Sequence, residues 1–95
     1  MAAELIAQDR FPLDDHSFVD LVIWRLPQPV RGCSHSFKYR LAYVEKDHCV
    51  IRFDNEAGKG DHKHIGRHES LIQFVSIARL YDDFYEEVDQ WRQTR

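Results

Sequence analysis

Ninety-five residues, 43% hydrophobic and 13% aromatic, suffice for one folded domain near the small end for a self-sufficient core, and exclude a disordered chain. The formal net charge of −3 excludes an all-round basic polyanion binder, but it averages over a split chain. Residues 21–75 hold nine Lys/Arg against six acids, with five of the six His, whereas residues 1–20 and 76–95 are net acidic; a basic middle between acidic ends can still bind phosphate locally.

No apolar run approaches the roughly 20 residues of a membrane span, and Met1-Ala2-Ala3-Glu4 opens acidic where a signal peptide opens basic. The expectation is a cytoplasmic protein with no membrane segment, its two cysteines, Cys33 and Cys49, reduced as thiols. Two cysteines leave a single disulfide open but make no framework.

Along the chain, residues 1–16 read as a mobile or helical N-terminal arm: Ala2, Ala3, Leu5, Ile6 and Ala7 favour helix, and Phe11-Pro12 breaks it. Ser17–Leu26 is β-branched and aromatic and reads as a strand apolar on both faces, with Trp24 in the core. Ser36–Val44 alternates Phe37, Tyr39, Leu41, Tyr43 against Lys38, Arg40, Ala42, Val44, the pattern of a half-buried strand. Glu45-Lys46-Asp47 turns the chain into a third strand, Cys49–Phe53. His62–Ile65 and Leu71–Val75 read as short fourth and fifth strands. Ser76 reads as an N-cap, and Ile77, Leu80, Tyr81, Phe84, Val88 and Trp91 follow at helical spacing to about Arg92. The expected fold is α+β: one domain spanning residues 1–95, with an antiparallel sheet of about four or five strands and a C-terminal helix packed on one face.

The stretch from Asp54 to His64 fits none of this apolar patterning. It carries two Gly, two Lys, two His and three carboxylates with Ala57 as its one apolar residue, so little of it can be buried cheaply. On a strand, His62 and His64 project to one face and Lys63 to the other. Two imidazoles that titrate near neutrality can serve as general acid and base. Lys59, with Arg40, Arg52 and Lys63, can neutralise phosphate, and Gly58 and Gly60 let backbone N–H groups approach an oxyanion. Asp61 reads as the carboxylate that orients an imidazole. These are the parts of metal-free RNA cleavage. The competing reading is a divalent metal ion on Asp61, His62 and His64, with His68 as a fourth ligand; it ranks lower because the spacing matches no standard zinc signature. The bland reading of the same residues is a turn: Gly58 and Gly60 shape it, and Asp54-Asn55 cap it. His16, His35 and His48 read as solvated or bonded to a nearby carbonyl. A partly exposed Tyr39 or Tyr43 could stack a base.

The Arg40-Leu41-x-Tyr43-Val44 strand, the Asp54-Asn55-x-x-Gly58-Lys59-Gly60-Asp61-His62-x-His64 block, and the Phe74-Val75 to Phe84 entry into the last helix resemble the TumE-like toxins of bacterial type II toxin–antitoxin systems. The resemblance runs from about Ser17 to the end. It implies a toxin role and a cognate antitoxin, typically a helix-turn-helix protein. It does not supply the chemistry; an endoribonuclease acting on RNA without a cofactor is the expectation from the His/Lys motif. Against it stand a metal-dependent nuclease and a module that binds nucleic acid or metal without catalysis.

Overall fold

The computed structural model describes residues 2–94. Six strands form one sheet: β1 (Glu4–Asp14), β2 (Ser17–Arg25), β3 (Phe37–Glu45), β4 (His48–Glu56), β5 (Gly60–Ile65) and β6 (His68–Leu71), followed by α1 (Ile77–Gln93). Spatial order equals chain order and every neighbouring pair is antiparallel, so the sheet is a meander built from hairpins. The expected sheet-plus-helix architecture holds, with six strands in place of four or five.

Two differences from the sequence reading have clear causes. Glu4–Asp14 is a strand rather than a helical or mobile arm, paired with β2 from Glu4↔Arg25 to Asp14↔Ser17. β2 is apolar on both faces and needs a partner on each edge, and that pairing overrides the local helix preference of Ala and Leu. Pro12 is tolerated because β1 is an edge, where a missing N–H breaks no ladder. The register shift between Leu5 and Ala7 kinks this edge, a common guard against pairing with another chain. The last strand is His68–Leu71 rather than Leu71–Val75. Ile72 N–H donates to the Asp61 carbonyl at 3.0 Å, and residues 72–76 then leave the sheet for the helix.

The turn between β3 and β4 is Lys46-Asp47, with φ of 50° and 67°, the left-handed pair that suits the twist of a tight hairpin. Ser76 caps α1, its Oγ accepting from Arg79 N–H at 3.1 Å. Leu80, Phe84 and Val88 form the buried stripe of α1, packed on Val19, Leu21 and Ile23 of β2, Tyr39, Leu41 and Tyr43 of β3, and Ile51 and Phe53 of β4. Phe84 meets Phe53 edge-on, centroids 5.5 Å apart. Only one face of the sheet lies under the helix. The other carries Arg40, Arg52, Asp54, His62, His64 and Glu69, as the period of two requires from the pairings Arg40↔Asp54, Asp54↔His62, Arg52↔His64 and His64↔Glu69.

Candidate active site

Two rows of paired residues build the open face. One runs Val22–Arg40–Asp54–His62–Leu71, the other Asp20–Ala42–Arg52–His64–Glu69, each step a cross-strand neighbour. Opposed side chains on adjacent antiparallel strands lie about 5 Å apart, which brings Asp54, His62, Arg52, His64 and Glu69 together. His62 and His64 meet edge to face with centroids 5.1 Å apart. His62 Nε2 lies 2.9 Å from Asp54 Oδ1, Arg52 Nε lies 3.1 Å from Asp54 Oδ2, and His64 Nε2 lies 3.0 Å from Glu69 Oε2. Arg52 Nη2 reaches the same His64 nitrogen at 3.0 Å. The result is a chain of contacts, His62–Asp54–Arg52–His64–Glu69, spanning three strands.

The two histidines differ in what their nitrogens face. His62 is buried, and its Nδ1 lies 3.1 Å from the Gly60 carbonyl oxygen, which can only accept. Its Nε2 faces the Asp54 carboxylate, another acceptor. The Nε2–Oδ1 approach is nonetheless misaligned: neither atom has a partner in hydrogen-bond geometry despite the 2.9 Å separation. His64 is half-buried, and its Nε2 is shared between a donor, Arg52, and an acceptor, Glu69. Arg52 suits the nitrogen with a lone pair, and Glu69 suits it with a proton, so this ring has a partner in either state.

The sequence-derived set divides between the two faces. His62, His64, Arg40 and Arg52 share the open face. Lys59 stands exposed in the β4–β5 turn, beside Glu56 at 3.8 Å, and lines a cleft of about 320 Å³ with His62, Glu69, Ser70 and Leu71. Lys63 points the other way and binds Glu87 of α1 at 2.6 Å, so it anchors the helix. Asp61 is also on the helix face. Its Oδ1 accepts from the Tyr39 hydroxyl at 2.7 Å and pairs with His35 Nε2 at 2.8 Å, so the carboxylate beside the open-face imidazoles is Asp54. Gly58 and Gly60 have φ of 83° and 78°, and the Gly58 amide is taken by the Arg31 carbonyl at 2.7 Å. A Cβ on Gly60 would come within 3.2 Å of the Gly32 carbonyl. Both glycines therefore serve the turn and its close packing on the loop after β2.

Behind the open face lies a second polar cluster that the sequence reading passed over. His35, expected to be solvated or bonded to a nearby carbonyl, is neither. Its ring instead stacks on Phe74 at 3.8 Å, accepts from Phe37 N–H at Nδ1, and so carries its proton on Nε2, toward Asp61. Burial pushes the Tyr39 hydroxyl and the Cys33 thiol up, and the Asp61 carboxylate adds to both. Asn55 is fully buried. Its side chain accepts from Tyr39 N–H at 3.0 Å and donates to the Phe37 carbonyl at 2.7 Å, standing in for a backbone rung between β3 and β4 instead of capping the turn. Lys38 reaches the Asn55 carbonyl. Tyr39 and Tyr43 are buried under the helix and unable to stack a base. Trp24, expected in the core, is 36% exposed on the open face, in a cleft of about 300 Å³ with Val22, Arg40, Asp54 and Glu56.

A family model described as Toxin TumE matches residues 2–92, which takes in all six strands, the open-face cluster and nearly all of the helix. The chain belongs to the Toxin TumE family. No curated protein and no solved structure matches it. As a toxin of this family it is one component of a toxin–antitoxin pair, and family membership implies an antitoxin partner. The family match covers the polar open face of the toxin without assigning it chemistry. Among the described residues no helix is long and apolar enough to cross a membrane, and both cysteines of the toxin are free.

Proposed function

We propose that this toxin cleaves RNA on the open face of its sheet by acid–base chemistry at His62 and His64, without a metal. The observation that carries the reading is the arrangement of the two imidazoles against one guanidinium. Arg52 donates to His64 Nε2, which keeps a lone pair there, while His62 Nε2 stands beside the Asp54 carboxylate, the carboxylate-backed position of a general acid. In the reaction His64 Nε2 takes the proton of a ribose 2′-hydroxyl. The 2′-oxygen forms a bond to the adjacent phosphorus, and the P–O5′ bond breaks. The 5′-oxygen leaves with a proton from His62, giving a 2′,3′-cyclic phosphate and a 5′-hydroxyl. Arg52, with Arg40 and Lys59 at the margins, stabilises the charge that builds on the phosphoryl oxygens. Glu69 then favours the protonated form of His64, and Asp54 positions both His62 and Arg52.

The antitoxin is proposed to be a helix-turn-helix protein. Co-purification from cells carrying both genes tests the pairing, and recovery of the two proteins apart at ordinary salt counts against it.

The site is tested by inducing each variant in cells, incubating the purified protein with RNA, and recording a thermal melt. His64→Ala and His62→Ala each lower cleavage by about 10²–10⁴-fold, the usual cost of removing a general acid or base. Because His62 is buried against Asp54, His62→Gln accompanies the alanine variant, keeping a hydrogen-bonding side chain of similar size without a transferable proton. Full toxicity in a folded His62→Ala, His64→Ala double variant would put the active site elsewhere and leave these residues a structural part of the sheet.

A further inference from the structure

His62 Nε2 and Asp54 Oδ1 are close but misaligned. Two ligand atoms bound to one ion do not point at each other; both point to a third position between them. At the 2.0–2.2 Å bond lengths of zinc to nitrogen and carboxylate oxygen, neighbouring ligands of a tetrahedral site stand about 3.3 Å apart. On the open face His62 Nε2 is 2.9 Å from Asp54 Oδ1 and 3.8 Å from Glu69 Oε2, and His64 Nε2 is 3.0 Å from Glu69 Oε2. The donor atoms of Asp54, His62 and His64 all lie within 4.8 Å of one another. Asp54 Oδ1 and His62 Nε2 are both buried, close, and out of hydrogen-bond alignment.

Cys33, His35 and Asp61 also bring their donor atoms within 4.8 Å of one another. There His35 Nδ1 accepts from a backbone N–H, so a metal on Nε2 would force a proton onto Nδ1 against that donor. At His62 the polarity is reversed. Nδ1 faces the Gly60 carbonyl, the backbone partner that a metal-bound histidine normally has on its far nitrogen. Of the two clusters, only the open-face one has a histidine, His62, whose far nitrogen is placed for ligation through Nε2.

We propose that Asp54, His62 and His64, with the half-exposed Glu69 swinging in as a fourth ligand, form a binding site for one zinc-class divalent ion, and that the ion, by taking Nε2 of both histidines, switches RNA cleavage off. Two imidazoles with two carboxylates select zinc and its neighbours over magnesium or calcium, which prefer all-oxygen shells. Binding rests on the geometry of the face alone; silencing rests on the acid–base reading above. To admit the ion, Arg52 must move off His64 Nε2, where its guanidinium holds the place of a cation. Its side chain is 32% exposed and has solvent to move into. The ion thus removes the base, the acid and the phosphate-holding cation from their working positions together.

The test is zinc titration of the chelator-treated full chain against a chromophoric competitor, paired with RNA cleavage in the same samples. The chain is expected to bind one zinc. Asp54→Asn and the His62→Gln, His64→Gln double variant each weaken binding by at least about 100-fold, the upper range for loss of a supporting partner alone. Arg52→Gln tightens it by about tenfold, because a like charge beside the ion is gone; a merely structural cluster would not respond this way. His35→Gln, on the opposite face, leaves the open-face site intact and binding unchanged. Cleavage persists in chelator and falls as one equivalent of zinc is added. No zinc binding, or binding indifferent to Asp54→Asn and to the histidine double variant, overturns the site. Cleavage abolished by chelator and restored by zinc overturns the silencing and makes the ion catalytic. Intact zinc binding with no cleavage under any condition supports the site and counts against the RNA reading alone.

Discussion

Asn55 shows how one side chain can decide a local structure. Its amide occupies the place of a backbone unit, joining Tyr39 N–H to the Phe37 carbonyl where β3 and β4 diverge. Alanine would leave a buried donor and a buried acceptor unpaired, and each such group costs about 1–3 kcal/mol. Asn55→Ala is expected to lower stability by at least about 2 kcal/mol, read as a lower urea midpoint with little change in slope. A variant as stable as the parent would mean that water replaces both bonds. The neighbouring Asp54 faces the opposite side of the sheet and pairs with His62 and Arg52. Two adjacent polar residues of one motif thus do unrelated work, one holding the sheet together and the other positioning the site.

At the scale of elements, α1 is held down at its far end by Arg92. Its guanidinium donates to Ser17 Oγ at 2.9 Å, to the Tyr43 hydroxyl at 3.0 Å and to Asp14 Oδ2 at 3.1 Å, linking the helix to the β1–β2 turn. The Asp14 carboxyl is held down to about 2 from an ordinary 3.8, first by the His16 backbone N–H, then by the Ser17 hydroxyl and Arg92. A carboxyl whose folded pKa is lowered stabilises the fold above its unfolded pKa, and that contribution is lost as pH falls through the folded value. The chain is therefore expected to lose stability on acidification from pH 3.8 toward 2 through this group, and Asp14→Asn should flatten that part of the profile. Carboxyl-detected NMR titration checks it directly; an Asp14 that titrates at its ordinary value contradicts the picture.

Over the whole molecule, the meander separates two tasks by face. The helix covers one side and buries the aromatic core there, together with Lys63 and Asp61. The open side displays Arg40, Arg52, His64 and Trp24, with His62 buried among them. If RNA is cleaved on this face as proposed, an exposed indole beside Arg40 would stack a base, with alanine substitution of such residues costing about 1–3 kcal/mol of binding. Trp24→Ala is expected to weaken RNA binding by that amount while leaving the thermal melt near that of the parent. In the parent, RNA should quench tryptophan fluorescence, and the Trp24→Ala chain, retaining only Trp91, should lose most of the quench. Equal affinity in the variant would move the RNA path off this cleft.

The β-branched and aromatic run of β2, the alternation in β3 and the Ile77-to-Trp91 stripe of α1 made the sheet-plus-helix class legible from the chain, because residue preference and side-chain period are local properties of helix and strand. The site was legible in part for the same reason: residues two apart on a strand share a face, so His62 and His64 had to lie together and Lys63 apart from them. What the chain left undecided were properties of pairing. Glu4–Asp14 has no strand pattern strong enough to declare itself, and it is a strand because β2 offers an edge. Asp54 rather than Asp61 serves His62 because the Glu56–Gly60 turn sets β4 against β5 with 54 opposite 62 and 52 opposite 64. A shift of one residue would have turned the whole set to the other face. Glu69 and Arg52 join the cluster by the same register, and Trp24 is exposed because a single helix covers only one of two apolar-looking faces. The residues themselves were written in the sequence; which of them meet was decided by hydrogen-bond register and by the side on which the helix lies.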